Sequence, residues 1–322
     1  MSVLSQLRRW RTRLRFFRLR YRVGGSRRYV TCAGKVDGAG AQAQAVVSVM
    51  LFARAVGARY VHTPFSVIDH NPDSSPDWQA RWERFFNFGV GELPAAALHD
   101  RGMPRVQVVS PFQVTSTGVL YEIPHCYATW ALGRALLPGL LAELRGRLLA
   151  DKPVVAASHN GLRLAIHMRR GDVTEDGPHA RRFTETATIE RLFQGLERAL
   201  RMADVPFSAT LYSQGDPAQF SALAEQGVII DTRDDPFETF MQLVTADVLV
   251  TAKSSFSYLA GLLSRGVVLY QPFWHGPLDG WVRQSGDGGF DRMTFLDRLA
   301  AYRFGDSAIG PHGQTPMDRG CA

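Results

Sequence analysis

The segment Ile166-His-Met-Arg-Arg-Gly-Asp172 brings an imidazole, two adjacent guanidinium groups and a carboxylate together in a few residues. Adjacent arginines repel one another unless an anion meets them. The planar guanidinium fork matches phosphate oxygens two at a time, so a diphosphate is the natural partner of Arg169 and Arg170. Asp172 is placed to hold one of the two guanidinium groups. A surface salt-bridge cluster is the plainer alternative, because Glu175, Asp176 and Arg181 lie close in sequence. A second segment, Thr251-Ala-Lys-Ser254-Ser-Phe-Ser257, places serines where a helix should begin. Such serines cap free backbone N–H groups, and a helix N-terminus also attracts phosphate.

The elements around these segments decide whether they can meet. Leu162–Met168 reads as a buried strand and Thr188–Met202 as an amphipathic helix. Short apolar strands then alternate with helices: strands Ala209–Ser213, Val228–Asp231, Val248–Thr251 and Val267–Tyr270, and helices Pro217–Gln226, Pro236–Thr245 and Ser254–Ser264. This alternation indicates a doubly wound parallel sheet, whose ligands bind beyond the carboxyl ends of its strands. Both segments fall at such ends.

The first half carries a similar unit. Strand Arg28–Thr31 leads through the loop Gly34 to Gly40 into an apolar helix over Ala41–Val56 and a strand at Arg59–Thr63. The stretch Ser66–Gly91 reads as irregular, Val106–Ser110 as a strand, and Cys126–Leu149 as helical with a break at Pro138-Gly139. The loop is no Walker A motif, since no Gly-Lys-Ser/Thr follows, and it lacks the third glycine of a dinucleotide fingerprint. A tight turn explains it; facing an interdomain cleft, Gly38 and Gly40 would contact donor or acceptor. The expected organisation is a leader at 1–28, an acceptor-side Rossmann-like domain at 29–155, a nucleotide-sugar-binding Rossmann-like domain at 156–305 and a tail at 306–322. The last helix, Asp291–Tyr302, is placed to cross back to the first domain.

At this point the residues resemble a known family. His-x-Arg-Arg-Gly-Asp matches the first characteristic block of the α-1,2/α-1,6/protein-O-fucosyltransferase superfamily, in the form found in its α-1,2 branch, including bacterial members. Leu211-Tyr-Ser-Gln-Gly-Asp-Pro217 resembles the second block, and Ala246 to Ala260 the third, in the same order and spacing. Gly38-Ala-Gly-Ala-Gln42 is loosely similar to the family's glycine-rich opening. The resemblance spans about residues 160 to 272. It implies a GT-B fold, two Rossmann-type doubly wound α/β domains facing a cleft. It also implies inverting, metal-independent transfer of fucose from GDP-fucose to a glycan acceptor. Arg169 and Arg170 would bind the diphosphate, His167 would sit beside the donor, and Ser254, Ser255 and Ser257 would face it from the helix start. The family carries a base-recognising aspartate before the third block. Here that position is Thr239, with Glu238 adjacent as a substitute. Glu175 and Asp176 are the nearest carboxylates able to serve as catalytic base, and both equally fit solvated loop positions.

Metal and cofactor are not expected. No Asp-x-Asp pair is present, and His62, His125 and His179 lack companions at ligand spacing. Cys32, Cys126 and Cys321 show neither metal nor redox spacing, which fits a reducing compartment. Trp78, Trp82, Phe85, Phe86 and Phe88 fit either a sugar-stacking wall or ordinary core, with core preferred. The 322-residue chain carries a formal charge of +7, but residues 1 to 30 hold ten arginines and no acid. Setting these aside leaves 27 basic against 30 acidic residues, a balance of −3, so no nucleic-acid surface is implied. In the leader, Leu4, Leu7, Trp10, Leu14 and Phe17 recur at helical spacing among arginines. A basic amphipathic helix resting on an anionic membrane surface fits this pattern, as does a disordered basic leader. The expected location is cytoplasmic, peripheral on the inner face of the cell membrane. Two other readings stay open: a GT-B transferase using another nucleotide sugar, and a non-catalytic glycan- or nucleotide-binding protein of the same fold.

Overall fold

A computed structural model describes Leu14 and residues 28–71, 74–131, 135–153, 161–233 and 235–307. The leader expected at 1–28, Leu14 and Arg28 aside, and the tail beyond Ser307 fall outside these residues. The chain divides into two compact units, Met1–Val154 and Val155–Ala322.

The first unit is built on β1 (Tyr29–Cys32), α1 (Ala39–Val56), β2 (Arg59–His62), α2 (Trp78–Phe86), β3 (Leu93–Pro94), α3 (Ala95–His99), β4 (Arg105–Gln107), β5 (Leu120–Ile123) and α4 (Leu137–Leu149). Its strands form one parallel sheet in the order β3-β2-β1-β5-β4. Ala39–Val56 is long and apolar enough to cross a membrane by composition, yet 83% of it is buried as a core helix of this unit. Gly57, at φ 68°, closes it in the left-handed conformation that glycine adopts without cost.

Four local expectations change here. The stretch Ser66–Gly91 is not wholly irregular, because Trp78, Trp82, Phe85 and Phe86 recur at helical spacing and form the buried face of α2. With Phe88 they make core, not a sugar-stacking wall. Pro138-Gly139 does not break a helix: Pro138 lies in the first turn of α4, where a proline lacks no needed N–H. The strand β5, which pairs with β1 along its whole length, sits in a stretch that the sequence left unassigned. Arg28, assigned to the leader, is fully buried and donates from Nη1 to the Val114 carbonyl at 3.2 Å, so it is part of the folded first unit.

The second unit contains β6 (Leu162–His167), α5 (Thr186–Met202), β7 (Phe207–Tyr212), α6 (Ser221–Glu225), β8 (Ile229–Asp231), α7 (Pro236–Thr245), β9 (Val248–Val250), α8 (Ser255–Leu263), β10 (Val267–Tyr270), β11 (Val282–Arg283) and α9 (Arg292–Ser307). These strands are also all parallel, in the order β11-β10-β9-β6-β7-β8. Pro217–Phe220 is a 3-10 turn ahead of α6, not part of one helix. The last helix does not leave this unit: Phe295 and Leu299 of α9 join the core with Leu164, Ile166, Leu192 and Leu269. The fold class is α/β with two doubly wound parallel sheets, as the alternation of short strands and helices requires.

Candidate functional site

In the second sheet the chain runs from β6 to β7 and β8 on one side, then returns to β9 and β10 on the other. β6 is therefore flanked by β7 and β9, with His167 opposite Tyr212 and Ile166 opposite Val250. The connections leaving β6 and β9 diverge to opposite sides, which opens a crevice at their carboxyl ends, the place where open α/β sheets bind ligands. The arginine segment follows β6 and the serine segment follows β9. Their adjacency is a consequence of the strand order.

His167 ends β6, buried, with its ring 5.7 Å from Phe256 of α8, which in turn packs edge-on to Phe240 of α7 at 5.1 Å. Burial, and then the nearby Arg169 charge, lower its pKa to about 3, so the imidazole is neutral at ordinary pH. Its Nδ1 has no hydrogen-bond partner among the described residues. Met168 is held from both sides of its peptide: its N–H donates to the Tyr212 carbonyl at 3.0 Å, and its carbonyl accepts from the Ser213 hydroxyl at 2.9 Å. The second block thus supports the first. Gly171 follows at φ 75°, where a side chain would meet the Gln214 amide at 2.9 Å.

The two arginines do different work. Arg169 is paired through Nη2 with Asp172 at 2.6 Å, as expected, while its Nε is buried with no hydrogen-bond partner among the described residues. Arg170 is buried and turned into the protein. Its Nη1 donates to the Arg169 carbonyl at 3.0 Å, and its Nη2 donates to the Thr184 carbonyl at 2.8 Å and Thr186 Oγ1 at 3.2 Å. Its guanidinium also lies 4.4 Å from the centre of the Phe183 ring. These bonds make Arg170 a clamp on the strip 183–186.

Lys253 grips the same strip from β9, donating from Nζ to the Phe183 carbonyl at 2.8 Å. Ser254 is the N-cap of α8, its hydroxyl accepting from the Phe256 N–H at 3.2 Å. Ser255 is half-buried in the first turn. Ser257 departs from the expectation: it is fully buried and accepts from the Ala252 N–H at 3.0 Å, which closes the turn from inside. The groups left at the start of α8 are its first-turn backbone N–H groups, the Ser254 cap and the half-buried Ser255.

Glu175 and Asp176 are exposed on the loop after Asp172. Glu238 is exposed near the start of α7 and pairs with Arg233 at 3.3 Å, and Arg233 is held in turn by Asp231 at 2.6 Å. Gly38 is the N-cap of α1 and Gly40 is buried within it, both in the first unit. Sequence reasoning passed over Lys253, Thr184 and Gln271, which hold the strip to the sheet. The Gln271 N–H donates to Thr251 Oγ1 at 3.1 Å and its amide pairs with Thr184 Oγ1 at 3.0 Å. A lysine directly before an N-cap serine was the available sign. It also passed over a cluster at the carboxyl edge of the first sheet. There Lys35 pairs with Asp37 at 2.8 Å, His125 stacks on Tyr127 at 4.6 Å, and burial, then Lys35, lower the His125 pKa. Among the described residues no group of three or more His, Cys, Asp or Glu could hold a metal ion.

The chain matches no family model and no curated protein. It is similar to several solved structures. One is a point mutant of Arabidopsis thaliana FUT1 in complex with GDP, 14% identical, covering 80% of this chain and 74% of that one with a TM-score of 0.41. Another is POFUT1 in complex with GDP-fucose, 11% identical, covering 76% of this chain and 95% of that one with a TM-score of 0.42. A third is the E. coli heptosyltransferase WaaC with ADP-2-deoxy-2-fluoro heptose, 12% identical, covering 87% and 99% with a TM-score of 0.38. Likenesses this distant carry no argument about donor or acceptor.

The buried imidazole has a measurable consequence. Between pH 6.5 and about 3 the unfolded chain binds a proton at His167 that the folded chain refuses, so stability is present above 6.5 and falls as pH drops through that window. The slope is about 1.4 kcal/mol per pH unit for this one group. Urea unfolding from about pH 6.5 to 4.5 should therefore show a steeper loss for wild type than for His167→Gln. Parallel losses would mean that the imidazole is free to protonate in the fold.

Proposed function

We propose that this protein is a glycosyltransferase of GT-B type that takes its sugar from a nucleotide diphosphate donor, with GDP-fucose as the donor and a glycan as acceptor. The observation that carries the reading is Arg169. It lies at the crevice beyond β6, oriented by Asp172, with a buried Nε that has no hydrogen-bond partner among the described residues and the capped start of α8 following the neighbouring strand. A buried unsatisfied donor is costly, and phosphate oxygens are the acceptors a guanidinium fits best.

In this reading Arg169 and the α8 N-terminus stabilise charge on the departing nucleoside diphosphate as the anomeric C–O bond breaks. Stabilising the leaving group is the electrostatic part of the catalysis. The acceptor hydroxyl attacks from the opposite face with inversion, and its proton passes to a carboxylate, for which Glu175 or Asp176 on the same loop is proposed. His167, neutral, sits beside the donor, while Arg170 and Lys253 keep the wall of the crevice in place. No metal has a part in this scheme. The guanine preference is supported only by the sequence blocks. Glu238, already paired with Arg233 beside Thr239, favours a second reading in which the donor carries another base.

Nucleotide release, measured with GDP-fucose, GDP-mannose, UDP-glucose and ADP-heptose and repeated in EDTA, separates these readings. Turnover with GDP-fucose that survives EDTA is expected. Preference for a UDP- or ADP-sugar would transfer the assignment to the second reading, and tight nucleotide binding without turnover for any acceptor would make the protein a binding module.

We also propose that residues 1–27, rich in arginine, rest on anionic lipid at the cytoplasmic face of the membrane. Full-length protein should sediment with phosphatidylglycerol vesicles and the form beginning at Arg28 should not; equal sedimentation of both would remove the membrane role. Arg28 is kept because it is buried in the first unit.

A further inference from the structure

Beyond the strip 183–186, on the side of β10 and β11, the second unit holds a cavity of about 980 Å³. It opens at the carboxyl ends of β9, β10 and β11, the ligand-binding edge of a parallel sheet. Its size lies at the upper end of small-molecule sites. Three cations from separate elements line it: Arg191 from α5, Lys253 after β9 and Arg283 from β11. None of the three lies within ion-pair distance of a carboxylate among the described residues, and burial lowers the Lys253 pKa. Glu185 and Asp291 also line the cavity, but Asp291 already accepts the Thr294 N–H at the start of α9. The rest of the lining mixes the amides of Gln271 and Gln284 with the rings of Phe183 and Phe290.

Arg191 donates to the Asp287 carbonyl at 2.9 Å and to Thr188 Oγ1 at 3.3 Å, and Lys253 to the Phe183 carbonyl at 2.8 Å, so their hydrogen bonds go to neutral acceptors while the positive charge stays without a carboxylate in contact among the described residues. Three such cations among amides and aromatic rings describe a site for a sugar that carries a negative charge. Amides suit hydroxyl groups, a ring face suits the apolar face of a pyranose, and three converging positive charges, Arg191 and Arg283 exposed and Lys253 half-buried, attract an anion. The cavity and Arg170 share one strip of chain, whose Phe183, Thr184 and Glu185 line the cavity. Arg170 holds that strip at the Thr184 carbonyl, and Lys253, itself a lining residue, holds it at the Phe183 carbonyl. We infer that this cavity is the acceptor subsite and that the acceptor is an acidic saccharide, bearing either a carboxylate or a phosphate. This rests on the glycosyltransferase reading for the word acceptor, and on the cavity alone for the binding of an acidic sugar.

The test uses the full chain and four probes: methyl β-glucuronide, glucose 6-phosphate, methyl β-glucoside and GDP. Binding is measured by saturation-transfer NMR and calorimetry. At least one of the two charged sugars should bind about tenfold more tightly than the neutral glucoside, a factor well above measurement error. Whichever charged sugar binds better identifies the anion. Gly286 lines the cavity, has open space where a side chain would begin and is not in the left-handed region, so Gly286→Trp obstructs the cavity without straining the backbone. It should abolish sugar binding, Arg283→Gln should weaken it severalfold, and both should leave GDP binding as in wild type. Equal affinity for the glucoside, no sugar binding at all, or binding untouched by both substitutions would overturn the proposal. If sugars fail while GDP binds, only the subsite is lost. If acidic sugars bind as expected and GDP does not, the cavity stands and the donor reading falls.

Discussion

The second unit depends on how β6 is flanked. Because the chain leaves it toward β7 and comes back beside it as β9, two connections must diverge at its carboxyl end, and whatever follows those two strands is brought face to face. An Arg-Arg-Gly-Asp turn follows one and a lysine with a capped helix follows the other. The crevice, the cation in it and the helix N-terminus opposite all derive from this single topological fact. Apolar burial fixes the topology in turn: Leu164, Ile166, Val248 and Val250 face one core while Ala165 and Leu249 between them are buried on the other face, so both strands belong inside the sheet.

Around that crevice the charges are divided between holding and binding. Arg170 and Lys253 donate to carbonyls of neighbouring residues in one strip, and such bonds keep buried cations satisfied without a carboxylate. Arg169 is paired with Asp172, and in the proposed function it is the group that meets the donor's phosphates. On that proposal the adjacent arginines serve opposite ends, one fastening the wall and one facing the ligand. The neutral His167 fits the same logic, since a buried imidazolium beside Arg169 would add repulsion to its desolvation cost.

Much of this was legible in the sequence. The strands of the second unit are short continuous apolar runs bounded by turns, which is what burial on both faces demands. Pro236–Thr245 and Val267–Tyr270 could therefore be read residue for residue. The failures have physical causes. β5 is only four residues long between a Ser/Thr/Gly turn and Pro124, too short for a periodic signal. Pro138 was read as a breaker because its place in the first turn of α4 is visible only once the helix start is known. At the site, residue type announced the arginine pair but not its division of labour. Side-chain direction depends on the turn at Gly171 and on the strip 183–186, which are tertiary features. Ser257 looked like a phosphate contact by its spacing and proved to be an internal turn closure for the same reason.

The central claim is that Arg169 faces a nucleotide diphosphate. Calorimetric titration of GDP, UDP and ADP into wild type and Arg169→Ala, first without added metal and then in EDTA, tests it most directly. The account predicts selective GDP binding that survives EDTA and weakens about tenfold to a hundredfold in the variant, the worth of charge-assisted hydrogen bonds to phosphate. Equal affinity in wild type and Arg169→Ala, or no binding of any of the three nucleotides, would contradict it.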